Sequence, residues 1–105
     1  MIHAVKCLPE YFAPLNSGAK TFEVRKNDRP YRVGDYLAVN EFVPFNYKFK
    51  SDDQYQQYAI KDHKDGAGMY SDRFLIFKII YVLDDTEYCK EDMVILGLKK
   101  CCLEV

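Results

Sequence analysis

Apolar and polar residues alternate over short stretches of the chain, most clearly in Thr21-Phe22-Glu23-Val24-Arg25. A period of two predicts a strand with Phe22 and Val24 packed in a core and Thr21, Glu23 and Arg25 on the opposite face. A second strand is expected over Tyr36-Leu37-Ala38-Val39-Asn40-Glu41-Phe42, entered through the turn Val33-Gly34-Asp35. With Asn27-Asp28-Arg29-Pro30 as a further turn, the two strands read as a hairpin joined by a long, charged connection. Phe74 to Leu83 is the most apolar segment and is short enough for a central strand, Met93 to Leu98 is the next, and Cys102 to Val105 adds a last edge strand.

Upstream, Ile2 to Leu8 is a mixed run that Pro9 ends. Proline is tolerated in a first helical turn, so Pro9-Glu10-Tyr11-Phe12 reads as a strand passing into a helix, with Glu10 suited to the helix dipole. Pro14 lacks the amide that would bond back to Glu10, and Asn16-Ser17-Gly18 supplies a glycine stop. The helix is expected to be short, and kinked or ended near Pro14. From Val43 to Tyr70 the pattern dissolves into a long polar, tyrosine-rich insertion with room for one short helix.

A strand, a short helix and four or five further strands give a mainly β (α+β) class: a small, partly closed barrel with one N-terminal helix and a long insertion between central strands. From the pattern alone an OB-like barrel or an open sheet fits equally. At 105 residues the chain is one domain, and 49% apolar with 30% charged residues is an ordinary globular balance. No window approaches the roughly 20 apolar residues of a membrane span, and charge arrives too early for a secretory signal, so a cytoplasmic, membrane-free protein is expected. Cys7, Cys89, Cys101 and Cys102 form no C-x-x-C pair. They read as reduced, small apolar residues, with no metal site and no cofactor.

The formal net charge is −1, which excludes a uniformly basic nucleic-acid binder. Charge is nevertheless polarised: between Lys20 and Arg32 the five basic residues Lys20, Arg25, Lys26, Arg29 and Arg32 face only Glu23 and Asp28. Guanidinium and ammonium groups moderated by one carboxylate are a set that holds a phosphate while the acid orients an arginine. The alternative is a solvated strand face with ordinary ion pairs.

The string Gly18-Ala19-Lys20-Thr21-Phe22-Glu23-Val24-Arg25, followed by Val33-Gly34-Asp35-Tyr36-Leu37, resembles the G-x-K-x-x-E-x-R strand and the following turn of ASCH domains in the PUA-like superfamily. The resemblance covers residues 3 to 41 and resumes in Phe74–Leu83 and Val94–Leu98, and is nearest to an uncharacterised bacterial or phage-borne branch. It implies a PUA-like barrel with a cleft between helix and sheet that takes RNA or a modified nucleoside. It places Lys6 on one side of that cleft and Lys20, Glu23, Arg25, Lys26 and Arg29 on the other as the ligand-binding residues. Some ASCH relatives are amidohydrolases of acylated cytidine that use a lysine and a threonine on this strand. The lysine falls on Lys20, but the threonine position is Glu23, and Thr21 points differently on a strand.

No catalytic residue is assigned, and activity is expected to be absent. His3 reads as a surface or hydrogen-bonding residue, and the acidic stretch Asp84, Asp85, Glu87, Glu91 and Asp92 reads as a solvated loop, since it lacks the spacing of a calcium loop. The tyrosines at 47, 55, 58 and 70, interleaved with Lys48, Lys50, Lys61 and Lys64, fit either stacking platforms for bases or an aromatic lid. The leading expectation is a module that binds RNA or a nucleotide-like ligand. A hydrolase of modified nucleosides or RNA is the alternative, and a phage or mobile-element interaction domain is a third reading. Oligomeric state is not legible.

Overall fold

The computed structural model describes residues 1–45 and 67–101. In chain order the elements are β1 (Ile2–Cys7), α1 (Pro9–Ser17), β2 (Phe22–Lys26), β3 (Tyr36–Pro44), β4 (Gly68–Leu83) and β5 (Met93–Lys100). They form one five-stranded sheet in the order β1-β3-β4-β5-β2. β3 pairs in parallel with β1, from Ile2↔Tyr36 to Cys7↔Glu41, and antiparallel with β4. β4 and β5, and β5 and β2, are antiparallel. The sheet curls into a half-barrel, and the expected mainly β fold, with a single short helix among the described residues, is the one observed.

Alternation decides what lies inside. His3, Val5 and Cys7 of β1, Leu37 and Val39 of β3, Phe77 and Ile79 of β4, and Val94, Leu96 and Leu98 of β5 point inward. Phe12 and Leu15, three residues apart on one face of α1, complete this core from above. Leu37, Val39, Ile79 and Leu96 are fully inaccessible. Burying each such side chain contributes about 1.5 to 3 kcal/mol.

Four sequence expectations are corrected. Strand β2 forms with the expected alternation but with its faces exchanged: Phe22 and Val24 are 44% and 46% exposed, and Glu23 is 4% exposed. The reason is position. β2 is the last strand of the sheet, so its inner face looks onto the cleft at the barrel's open seam and not onto the apolar core, and there Glu23 finds cations.

The second correction concerns pairing. β2 and β3 are not a hairpin, because both edges of β3 are occupied by β1 and β4, and β2 reaches the far side of the sheet to pair with β5. Residues 27–35 therefore cross over, anchored by the half-turn at Gly34 (φ 98°) and by Tyr31 packed on His3 at 4.8 Å between ring centroids. Third, α1 runs through Pro14 to Ser17. In a nine-residue helix Pro14 forfeits one bond, and its own carbonyl accepts the Lys20 N–H at 3.1 Å, while Gly18 at φ 87° ends the helix as expected.

Fourth, the insertion is shorter at both ends than the span from Val43 to Tyr70: β3 continues to Pro44 and β4 begins at Gly68. The remainder of that insertion and the proposed strand from Cys102 to Val105 lie outside the described residues. Cys7, Cys89 and Cys101 are free thiols, the first two buried. No helix among the described residues is long and apolar enough to cross a membrane.

Candidate functional site

Strands β1 and β2 are the two edges of the curled sheet, and the curl brings them face to face. An edge strand leaves alternate backbone groups without a ladder partner. On β1 these include the Ala4 and Lys6 carbonyls, two residues apart, and both are satisfied from across the seam by side chains. Arg29 Nη1 donates to the Ala4 carbonyl at 2.8 Å, and Arg25 Nη1 donates to the Lys6 carbonyl at 3.0 Å. The half-barrel is thus closed along one border by guanidinium groups in place of a strand pairing.

Glu23 sits beside this border. Lys20 Nζ donates to its Oε1 at 3.1 Å, and Arg25 Nη1 reaches its Oε2 at 3.4 Å. A carboxylate this buried needs such partners, since an unpaired buried charge costs several kcal/mol. The Lys20 ammonium lies 5.2 Å from the Tyr11 ring centroid and 5.3 Å from that of Phe22, so two aromatic rings flank it. Lys6 Nζ lies 4.4 Å from the Phe42 centroid.

Two hollows follow the seam. The larger, about 430 Å³, lies between α1, β1 and β2, with Lys6, Lys20, Glu23 and Arg25 as its charged lining and Cys7, Leu8, Tyr11 and Val24 as the rest. The smaller, about 270 Å³, adjoins it and is lined by Ala4, Val5, Lys6, Arg25, Arg29, Asn40 and Tyr70. Lys6 and Arg25 border both. Five of the six binding residues expected from sequence therefore line one seam. Lys26, at the end of β2, is exposed and borders neither hollow.

The protonation states follow from surroundings. Burial, reinforced by the Glu23 charge, pushes the Cys7 thiol up to about 12, so at neutral pH it is a protonated wall of the cleft and not a nucleophile. Burial, and then the neighbouring Glu10, raise the Tyr11 hydroxyl above its ordinary range, leaving it a hydrogen-bond donor. His3 lies away from the cleft: its Nε2 is 2.8 Å from Asp35 Oδ2, a bond that ties the start of β1 to the turn before β3. That bond, with the amino terminus 3.3 Å from Oδ1, holds the Asp35 carboxyl below its ordinary value.

A further polar group escaped the sequence reading. Between the pairs Asn40↔Phe74 and Phe42↔Tyr70 the ladder bulges, and Asp72 takes φ 76°. The bulge turns Ser71 and Arg73 toward the buried Glu41: Ser71 Oγ donates to Glu41 Oε1 at 2.7 Å, and Arg73 Nη1 is 3.7 Å from the same oxygen. One signal was available, because Glu41 falls on the same parity as the inward Leu37 and Val39. The bulge itself depends on pairing across a long connection, which no local pattern carries. Tyr70 packs edge-on to Phe42 at 5.2 Å and faces the smaller hollow. Tyr47, Tyr55, Tyr58, Lys48, Lys50, Lys61 and Lys64 lie outside the described residues. The acidic stretch forms turns, with Asp85 accepting from the Glu87 amide at 2.8 Å. Among the described residues, no three His, Cys, Asp or Glu side chains gather as metal ligands.

Fold and site together define a small curled-sheet domain with a predominantly cationic cleft at the seam between its first two strands. The chain belongs to the family described as a domain of unknown function, DUF3850, whose model matches residues 2–98. No curated protein matches it.

Proposed function

We propose that this protein is an RNA- or nucleotide-binding module of the ASCH kind whose ligand lies along the β1–β2 seam. The observation that carries this reading is the convergence of Lys6, Lys20, Arg25 and Arg29 on two adjoining hollows that contain, among the described residues, one carboxylate, Glu23. Such a border attracts phosphates although the whole chain is slightly acidic. Tyr11 adds an aromatic face for an unpaired base.

The contacts favour binding over hydrolysis. On the resemblance to ASCH domains Glu23 stands where the amidohydrolases of that family carry a threonine nucleophile; here it holds the Lys20 ammonium, and the Cys7 thiol in the cleft is protonated. We accordingly expect no lysine-dependent release of acetate from acetylated cytidine. A protein-interaction role would draw on another surface: the outer sheet face, where Phe22, Gly97 and Tyr81 form one cross-strand row and Val24, Ile95 and Leu83 the next. Its apolar side chains are the observation that keeps this second reading.

The deciding experiment is binding of single-stranded RNA across a salt series. Four cations at the seam predict weak binding, with a slope of log affinity against log salt no steeper than about −3. Binding that is absent at low salt, or insensitive to salt, overturns the reading.

A further inference from the structure

We propose, resting on the reading above, that the seam takes a guanine nucleotide in two parts, with the base against Glu23 in the larger hollow and the phosphate beside Arg29 in the smaller one. The two hollows differ in sign. The larger contains the Glu23 carboxylate, which repels a phosphate, and its remaining walls include Leu8 and the Tyr11 ring. Those surfaces suit a flat, neutral, partly apolar group. The smaller contains Lys6, Arg25 and Arg29 and, among the described residues, no acid. Arg29 commits Nη1 to the Ala4 carbonyl and has further N–H donors on the same guanidinium for a phosphate oxygen.

The identity of the base follows from what Glu23 lacks. An ionised carboxylate has about four acceptor directions, two on each oxygen. Lys20 fills one on Oε1 and Arg25 one on Oε2, so among the described residues one direction remains on each. The complement is a pair of adjacent, parallel N–H donors. Guanine presents that pair in its ring N1–H and exocyclic amine. Adenine and cytosine set an acceptor nitrogen beside their amine, which meets a carboxylate lone pair unfavourably. Uracil has one N–H flanked by two carbonyls. Because Lys6 and Arg25 border both hollows, the sugar joining base to phosphate passes between them.

The test is calorimetric titration of the full chain, at low salt, with GMP, AMP, CMP, UMP and guanosine. GMP is expected to bind roughly tenfold or more tightly than the other three nucleotides, the discrimination of one bidentate pair. Arg29→Ala should weaken GMP roughly tenfold and leave guanosine unchanged, whereas Glu23→Gln, which replaces one acceptor by a donor, should erase the preference for guanine. If Glu23→Gln does not fold, the parent panel and Arg29→Ala decide. Equal binding of the four nucleotides overturns the guanine assignment, and equal loss of GMP and guanosine in Arg29→Ala overturns the two-part placement. Single-stranded RNA binding with no measurable GMP binding overturns this inference and leaves the RNA-binding reading standing. Failure of both RNA and nucleotides to bind removes the reading itself.

Discussion

Strand β1 has two lateral borders, and they are closed by different chemistry. Toward β3 it runs in a parallel backbone ladder from Ile2 to Cys7, with Val5 packed beside the inaccessible Leu37 and Val39. Toward β2, the seam carries Arg25 and Arg29 reaching across to two carbonyls. Ladder bonds over a dry core hold with little dependence on salt or ligand. Guanidinium bridges at a partly wet edge are weaker, screened by ions, and able to share their remaining donors with an incoming anion. The first border sets the shape of the domain, and the second leaves a place where a ligand can be met by charge.

The largest effect of a single substitution is expected on the core side. Leu96→Ala leaves a cavity beneath β5 and should destabilise the fold by about 2 to 5 kcal/mol in urea unfolding, with no specific effect on ligand selectivity. A loss under 1 kcal/mol would mean that the ladder side is not the stabilising side. Next in size is Glu23→Ala, which releases Lys20 and Arg25 from their shared acceptor. With their positions disturbed, affinity for single-stranded RNA should change by about 1 to 3 kcal/mol in fluorescence titration, the scale of a charged hydrogen bond.

Removing both bridges, Arg25→Ala with Arg29→Ala, should weaken RNA binding while costing only about 1 to 3 kcal/mol of stability, because the freed carbonyls at an open edge are rehydrated. A double variant that binds as the parent does would show that the seam is not the site. The smallest effect is electrostatic and lies off the seam. Asp35 has a folded-state value depressed from its ordinary 3.8 by the hydrogen bond from His3 and by the amino terminus. Its contribution is therefore present above pH 3.8 and is lost as pH falls through the depressed value. Melting temperature should decline along that acid limb, and Asp35→Asn should flatten the decline at a lower starting stability.

Much of this architecture was legible from local pattern. Alternation located β2, β3 and β5, the proline and glycine bounded α1, and Gly34 marked the turn before β3. What local pattern lacks is the reference to the rest of the sheet. The strand holding Glu23 was found, but its facing depends on lying at an edge over a cleft, so a pattern that elsewhere places apolar residues inward here places the carboxylate inward. The cluster of Lys20, Glu23 and Arg25 was visible from spacing alone. Lys6 came from the family resemblance and not from spacing; the completion by Tyr11 and Cys7 required the packing of α1 and β1 against the rest of the sheet, and the bulge that joins Ser71 to Glu41 required a register across residues far apart in the chain.

Whether the ligand lies at the inner seam or on the apolar outer face is decided by mapping amide shifts in a ¹⁵N–¹H spectrum as single-stranded RNA is titrated into the full chain. A ligand at the seam shifts Lys6, Cys7, Tyr11, Lys20, Glu23 and Arg25. Shifts centred on Tyr81, Ile95 and Gly97 of the outer face, or none at RNA excess in low salt, would contradict it.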